Sequence, residues 1–151
     1  MSIDARLTEL GLTLPDAPAP AANYVPYVQS GNLLFVSGQI SAGPDGLIRG
    51  RLGEDMDVAA GAAAARACGL ALLAQARAAA GSLDRIARVV KLTGFVASTP
   101  EFTDQPEVIN GCSNLMVEVF GDRGRHARAA VSAAALPRGV AVEIEAIFEL
   151  G

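Results

Sequence analysis

The last third of the chain limits its folds more than any other part. The stretch RAAVSAAALPRGVAVEIEAI, residues 128–147, reads as two β-strands joined by a short turn. In the second strand Val142, Ile144, Ala146 and Phe148 alternate with Glu143, Glu145 and Glu149. Successive side chains of a strand point to opposite faces, so this alternation describes a sheet with one buried face. The acidic set then faces solvent or a partner subunit. Arg128 opens the first strand. A lone basic group near carboxylates, on rigid strands, suggests a site for a small anionic substrate rather than for a macromolecule.

The elements that cover such a sheet are legible upstream. The Ala-rich run from Asp57 to Ala79, which no proline interrupts and Gly81 ends, predicts a long helix; alanine is the best helix former. Val108, Ile109, Cys112, Leu115, Met116, Val119 and Phe120 recur at three- and four-residue spacing, one apolar helix face. Asp104 and Glu107 have the spacing of a capping box at its start. The β-branched run at 86–97 predicts a strand. Residues 24–29 and 33–37 predict a hairpin across Ser30-Gly31-Asn32, and a short strand is expected near 47–49. Ile3, Leu7 and Leu10 predict a short first helix, followed by the Pro- and Ala-rich connector LPDAPAPAAN as a surface arm. The order is hairpin, helix, strand, helix, strand, strand. It predicts an α+β fold, a mixed sheet with both helices on one face. Residues 1–22 form a helix and arm, and 23–151 a single domain.

Composition excludes several classes. The 151 residues carry a net charge of −4, which argues against nucleic acid as the main partner. Arg123, Arg125 and Arg128, with His126 among them, form the one local basic cluster. Cys68 and Cys112 show no metal-ligand spacing and read as buried free thiols in a reducing cytosol. Neither a signal peptide nor a membrane span is expected, since Arg66 and Arg77 interrupt the Ala-rich run. Lys91, mid-strand, reads as snorkelled or paired. His126, the only histidine, lacks a triad pattern and reads as surface or rim. The small apolar residues, Ala above all and no Trp, suggest a core completed by subunit contacts.

NLLFVSGQIS, then a helix, then VVKLTGFVAS, then HARAAVSAAALPRGVAVEIEAI together resemble the RidA/YjgF family of reactive-intermediate deaminases over about residues 23–150. The resemblance implies a chorismate-mutase-like fold, assembly as a trimeric barrel, and active sites in the clefts between subunits. It implies cofactor-free hydrolysis of reactive 2-imino and enamino acids to 2-keto acids and ammonia, in the cytoplasm. Arg128 matches the arginine that clamps the substrate carboxylate, and Glu143 the glutamate that positions water. Ser37 and Gly38 match the SGQ segment at the reacting nitrogen. Tyr24 matches the site tyrosine, with Tyr27 the competing choice. The helical asparagine is Asn110 or Asn114, which share a helix face.

This chain departs from the family in three places. Ala130 stands where the family carries Cys, Ser or Thr, leaving only the backbone N–H there. The loop GDRGRH is shorter, and the helix before it longer. The N-terminal helix is additional. Two rival functions follow: a non-catalytic member that binds a keto acid or amino acid in the Arg128 cleft, and an RNA-directed translation inhibitor or endoribonuclease. For Arg128 taken alone, a salt bridge to Glu143 or Glu145 is the plain structural reading.

Overall fold

The computed structural model describes residues 1–17 and 23–151, so part of the connector falls outside the described residues. Helix α1 is Ile3–Glu9, capped by the Ser2 hydroxyl. Strands β1 (Tyr27–Ser30) and β2 (Leu33–Ile40) form the hairpin, with Gly31 at φ 63° in its turn. A two-stranded ribbon follows, β3 (Ala42–Gly43) and β4 (Gly46–Leu47). Helix α2 is Val58–Ala80, strand β5 Ile86–Ala97, helix α3 Gln105–Phe120, strand β6 Ala127–Ala133 and strand β7 Val142–Leu150.

Five strands form one sheet in the order β1-β2-β7-β5-β6. Every pairing is antiparallel except β5 with β6, which run parallel with α3 as their crossover. The two C-terminal strands are therefore not neighbours: β5 lies between them. A short turn in sequence does not make a hairpin when a third strand takes both inner edges.

Both helices lie on one face. Val142, Ile144, Ala146 and Phe148 point to it and are buried. Asp57 caps α2, its Oδ1 accepting from the Ala60 N–H at 2.8 Å. Gly81 ends α2 at φ 83°. Small residues set the spacing of the helix layer. A Cβ on Gly111 of α3 would overlap the Ala62 backbone of α2, and one on Gly94 of β5 would come within 2.5 Å of Ile109 Cδ1. The two glycines thus bring α3 against both α2 and the sheet.

Two expectations need correction. Asp104 sits at the N-cap of α3 but makes no side-chain cap bond, because its backbone is bent (φ −96°, ψ 30°). The Gln105 amide is instead turned back to Ser98 Oγ and the Phe102 carbonyl. Strand β1 begins three residues later than Tyr24, after a bend. Helix α2 is long and apolar enough to cross a membrane by length and composition only, and half of its apolar stretch is buried inside the protein, as in a core helix. Helix α1 is docked, with Ile3 and Leu7 buried. The Ile3 N–H donates to Asp84 Oδ1 at 2.7 Å and Arg6 Nε to the Glu118 carbonyl at 2.9 Å.

Candidate functional site

Arg128 lies on the edge strand β6, in register with Leu92 of β5. Leu92 is fully buried under the helices, so Arg128 rises on the helix face of the sheet. There α3 meets it. Nη1 donates to Asn110 Oδ1 at 2.7 Å and to Ser113 Oγ at 3.2 Å. Asn110 and Ser113 are three apart on one helix and so share a side. His126 precedes Arg128 by two residues and shares its face; its Nε2 is 2.8 Å from Ser113 Oγ and its Nδ1 2.6 Å from the Gly124 carbonyl. With Asn114, Val117, Glu118 and Arg125 these residues line an open groove of about 670 Å³.

This groove settles the placement of several residues. Asn110 holds the arginine, while Asn114 lines the groove beside it. Ala130, opposite Gly94, packs against the core and adds no polar atom. Burial lowers the His126 pKa, Arg128 lowers it further, and its bond to Gly124 works the other way. His126 is at the rim, but as a hydrogen-bonded member of the groove.

Glu143 stands elsewhere. It is in register with Phe95 of β5, next to Gly94, which faces α3. Glu143 therefore projects from the opposite, helix-free face. Its half-buried carboxylate lies over Gly38 of β2: a Cβ at that glycine would collide with Glu143 Oε2. Burial raises the Glu143 pKa above the ordinary carboxylate value, with the charge of Glu145 adding to it. Ser37 donates its hydroxyl to the Val25 carbonyl at 2.8 Å and its N–H to the Pro26 carbonyl at 2.9 Å, tying the segment after Tyr24 to β2. Tyr24 is exposed, whereas Tyr27 packs against the core opposite Val36.

The expected residues therefore fall into two separate groups. Arg128, Asn110, Ser113, Asn114 and Ala130 share the helix face near β6. Glu143 lies with Gly38 on the other face; Ser37 precedes that glycine, and its bonds to the Val25 and Pro26 carbonyls hold the segment after Tyr24 to β2. Among the described residues no ion pair joins Arg128 to Glu143 or Glu145. Sequence reasoning missed Ser113. Its signal was its spacing of three from Asn110 on the apolar helix's flank. Cys68 and Cys112 are buried and free; burial raises both thiols, that of Cys112 to about 12. Among the described residues no group of three or more His, Cys, Asp or Glu could hold a metal ion.

A five-stranded mixed sheet with two helices on one face and an arginine groove at its edge defines the class. The chain belongs to the YjgF/chorismate mutase-like family, described also as "putative endoribonuclease", which matches residues 4–148. It is 53% identical to Protein TCP17 of Trypanosoma cruzi, with 98% of this chain and 94% of that protein covered. The crystal structure of Atu1372 from Agrobacterium tumefaciens is also 53% identical, covers 99% of this chain and 92% of its own, and superposes with a TM-score of 0.91. RidA from an Antarctic Psychrobacter is 31% identical, covers 89% and 94%, and has a TM-score of 0.60. The two 53% relatives span nearly the whole chain, α1 included.

Proposed function

We propose that this protein hydrolyses small 2-imino and enamino acids to 2-keto acids and ammonia without a cofactor. The observation that carries this reading is Arg128. Its guanidinium is held from one side by Asn110 and Ser113 and lines the groove with its remaining edge. A guanidinium fixed in this way suits a carboxylate, which it binds as a planar fork. Glu143, with its raised pKa, suits the second task. A carboxylate can orient water onto the C=N carbon and hand a proton to nitrogen. Gly38 leaves room for it and offers backbone groups beside it.

Arg128 and Glu143 face away from one another within a subunit, so a complete site needs a second copy. We propose a homotrimer in which the groove of one subunit meets the Glu143 face of the next, with Tyr24 at the cleft. That face carries exposed Val28, Phe35 and Val131, apolar surface that subunit contact would cover. Two free buried thiols suit a reducing cytoplasm.

The second reading is a non-catalytic member that only binds small carboxylates in the groove. The missing polar group at Ala130 favours it. An RNA-directed role rests on the family's description, and a net charge of −4 weakens it. The test is ammonia release from 2-aminoacrylate and 2-iminobutyrate generated in place. Acceleration over buffer that Arg128→Ala removes supports the deaminase. Binding of keto acids without acceleration supports the second reading.

A further inference from the structure

Two hydrogen bonds settle the polarity of the groove. The Gly124 carbonyl can only accept, so His126 Nδ1, 2.6 Å away, carries the ring proton and donates it. Nε2 of the neutral ring is then a lone pair, and at 2.8 Å it accepts the Ser113 hydroxyl proton. Ser113 has no other proton. Toward the groove its oxygen can only accept; one lone pair takes Arg128 Nη1–H at 3.2 Å, and the second is open to a ligand. The groove thus places a cationic donor beside a neutral acceptor.

We infer that Ser113, oriented by His126, is a specificity-determining contact that selects carboxylates bearing an N–H donor on the adjacent carbon and disfavours those bearing a carbonyl or ether oxygen there. This deepens the deaminase reading, on which its choice of ligand rests. A 2-imino or enamino acid presents the carboxylate to Arg128 and its N–H to Ser113. The 2-keto acid product presents an oxygen instead, and two acceptors face each other. Ser113 thereby supplies from α3 the polar contact that β6 lacks at Ala130, and it favours product release. His126 acts as a positioning residue. Protonated, its Nε2–H would donate to Ser113 and free the hydroxyl to donate into the groove, cancelling the preference. The charged groups around that ring are Arg128 on its own strand, Arg125 in the preceding turn and Glu118 on α3, with Arg88 of β5 reaching the Arg125 carbonyl.

A pair of isosteric acids tests this directly. Pyrrole-2-carboxylate has an N–H beside the carboxylate, and furan-2-carboxylate has an oxygen in the same place. Their Kd values are measured by calorimetry on the intact protein at about pH 7.5, above the ordinary imidazole range, and at a lower pH set below the His126 midpoint found by NMR titration. The expected preference at the higher pH is about tenfold for the pyrrole, the cost of one opposed acceptor in a half-open groove. Ser113→Ala should bring the ratio near one while furan binding persists. His126→Ala should also collapse it, and should abolish the loss of preference that wild type shows at the lower pH. Equal affinities in wild type, or a preference that survives Ser113→Ala, would overturn the inference alone. Failure of both acids to bind would overturn it together with the carboxylate reading of Arg128.

Discussion

Substituting Gly111 by Ala sets two effects of opposite sign against each other. Gly111 lies inside α3, where alanine is favoured by about 1 kcal/mol on helix propensity. At this position the new Cβ would overlap the Ala62 carbonyl oxygen of α2 and lie 2.8 Å from its carbon and 3.1 Å from its Cα. The obstacle is backbone in the middle of a helix of 23 residues, which no rotamer change can clear. Overpacking costs about 1–3 kcal/mol, and a backbone clash belongs at the upper end. The net is a loss of about 2 kcal/mol, or roughly 4–8 °C in Tm for a chain of this size. The same shift moves Asn110 and Ser113 away from Arg128, so carboxylate affinity should fall in the folded variant. Thermal and urea unfolding at matched protein concentration, together with calorimetry, measure both effects. A Gly111→Ala variant as stable as wild type or more so would refute the close-packing argument.

Arg128→Ala should weaken carboxylate binding about tenfold to a hundredfold, with Arg128→Lys recovering only part, since a point charge lacks the planar fork; ligand titration distinguishes them. Glu143→Gln should slow ammonia release by roughly tenfold to a hundredfold. Its native pKa is raised, so its stability contribution is present below the ordinary carboxylate pKa and is lost as pH rises through the native value. The Gln variant should therefore be at least as heat-stable as wild type near neutrality, with the difference vanishing in acid. His126 has the opposite sign. Its depressed pKa gives stability that is present above 6.5 and is lost as pH falls through the native value. Its NMR titration midpoint should lie below 6.5, and His126→Ala should flatten that limb of the stability profile. Cys68 and Cys112 should resist thiol reagents in the native protein and react after unfolding, as their burial and raised pKa values require.

Local signals in this chain are strong, and the elements they mark are present. The β-branched run at 86–97 is β5 to the residue. Asp57 and Gly81 bound α2 because a side-chain oxygen and a left-handed glycine satisfy the orphan groups at helix ends. The alternation in β7 correctly assigned its buried face. What sequence did not disclose was pairing. That β5 inserts between β6 and β7 is a long-range choice, and the register of β6 on β5 then puts Arg128 on the helix face, opposite to Glu143. The same limit hid Ser113 and His126. A serine in a helix and a histidine in a loop are unremarkable until the α3 crossover lays one on the other at 2.8 Å. Asp104 had the right type for a cap, and backbone geometry overruled it.

We propose that Arg128 holds the carboxylate of an imine or enamine while the C=N bond is hydrolysed. Ammonia release from 2-aminoacrylate and 2-iminobutyrate, generated by a coupled amino-acid oxidase or dehydratase, tests it with wild type beside Arg128→Ala. Wild type should accelerate release over buffer, and the folded variant should not. Equal rates with wild type, Arg128→Ala and buffer would contradict it.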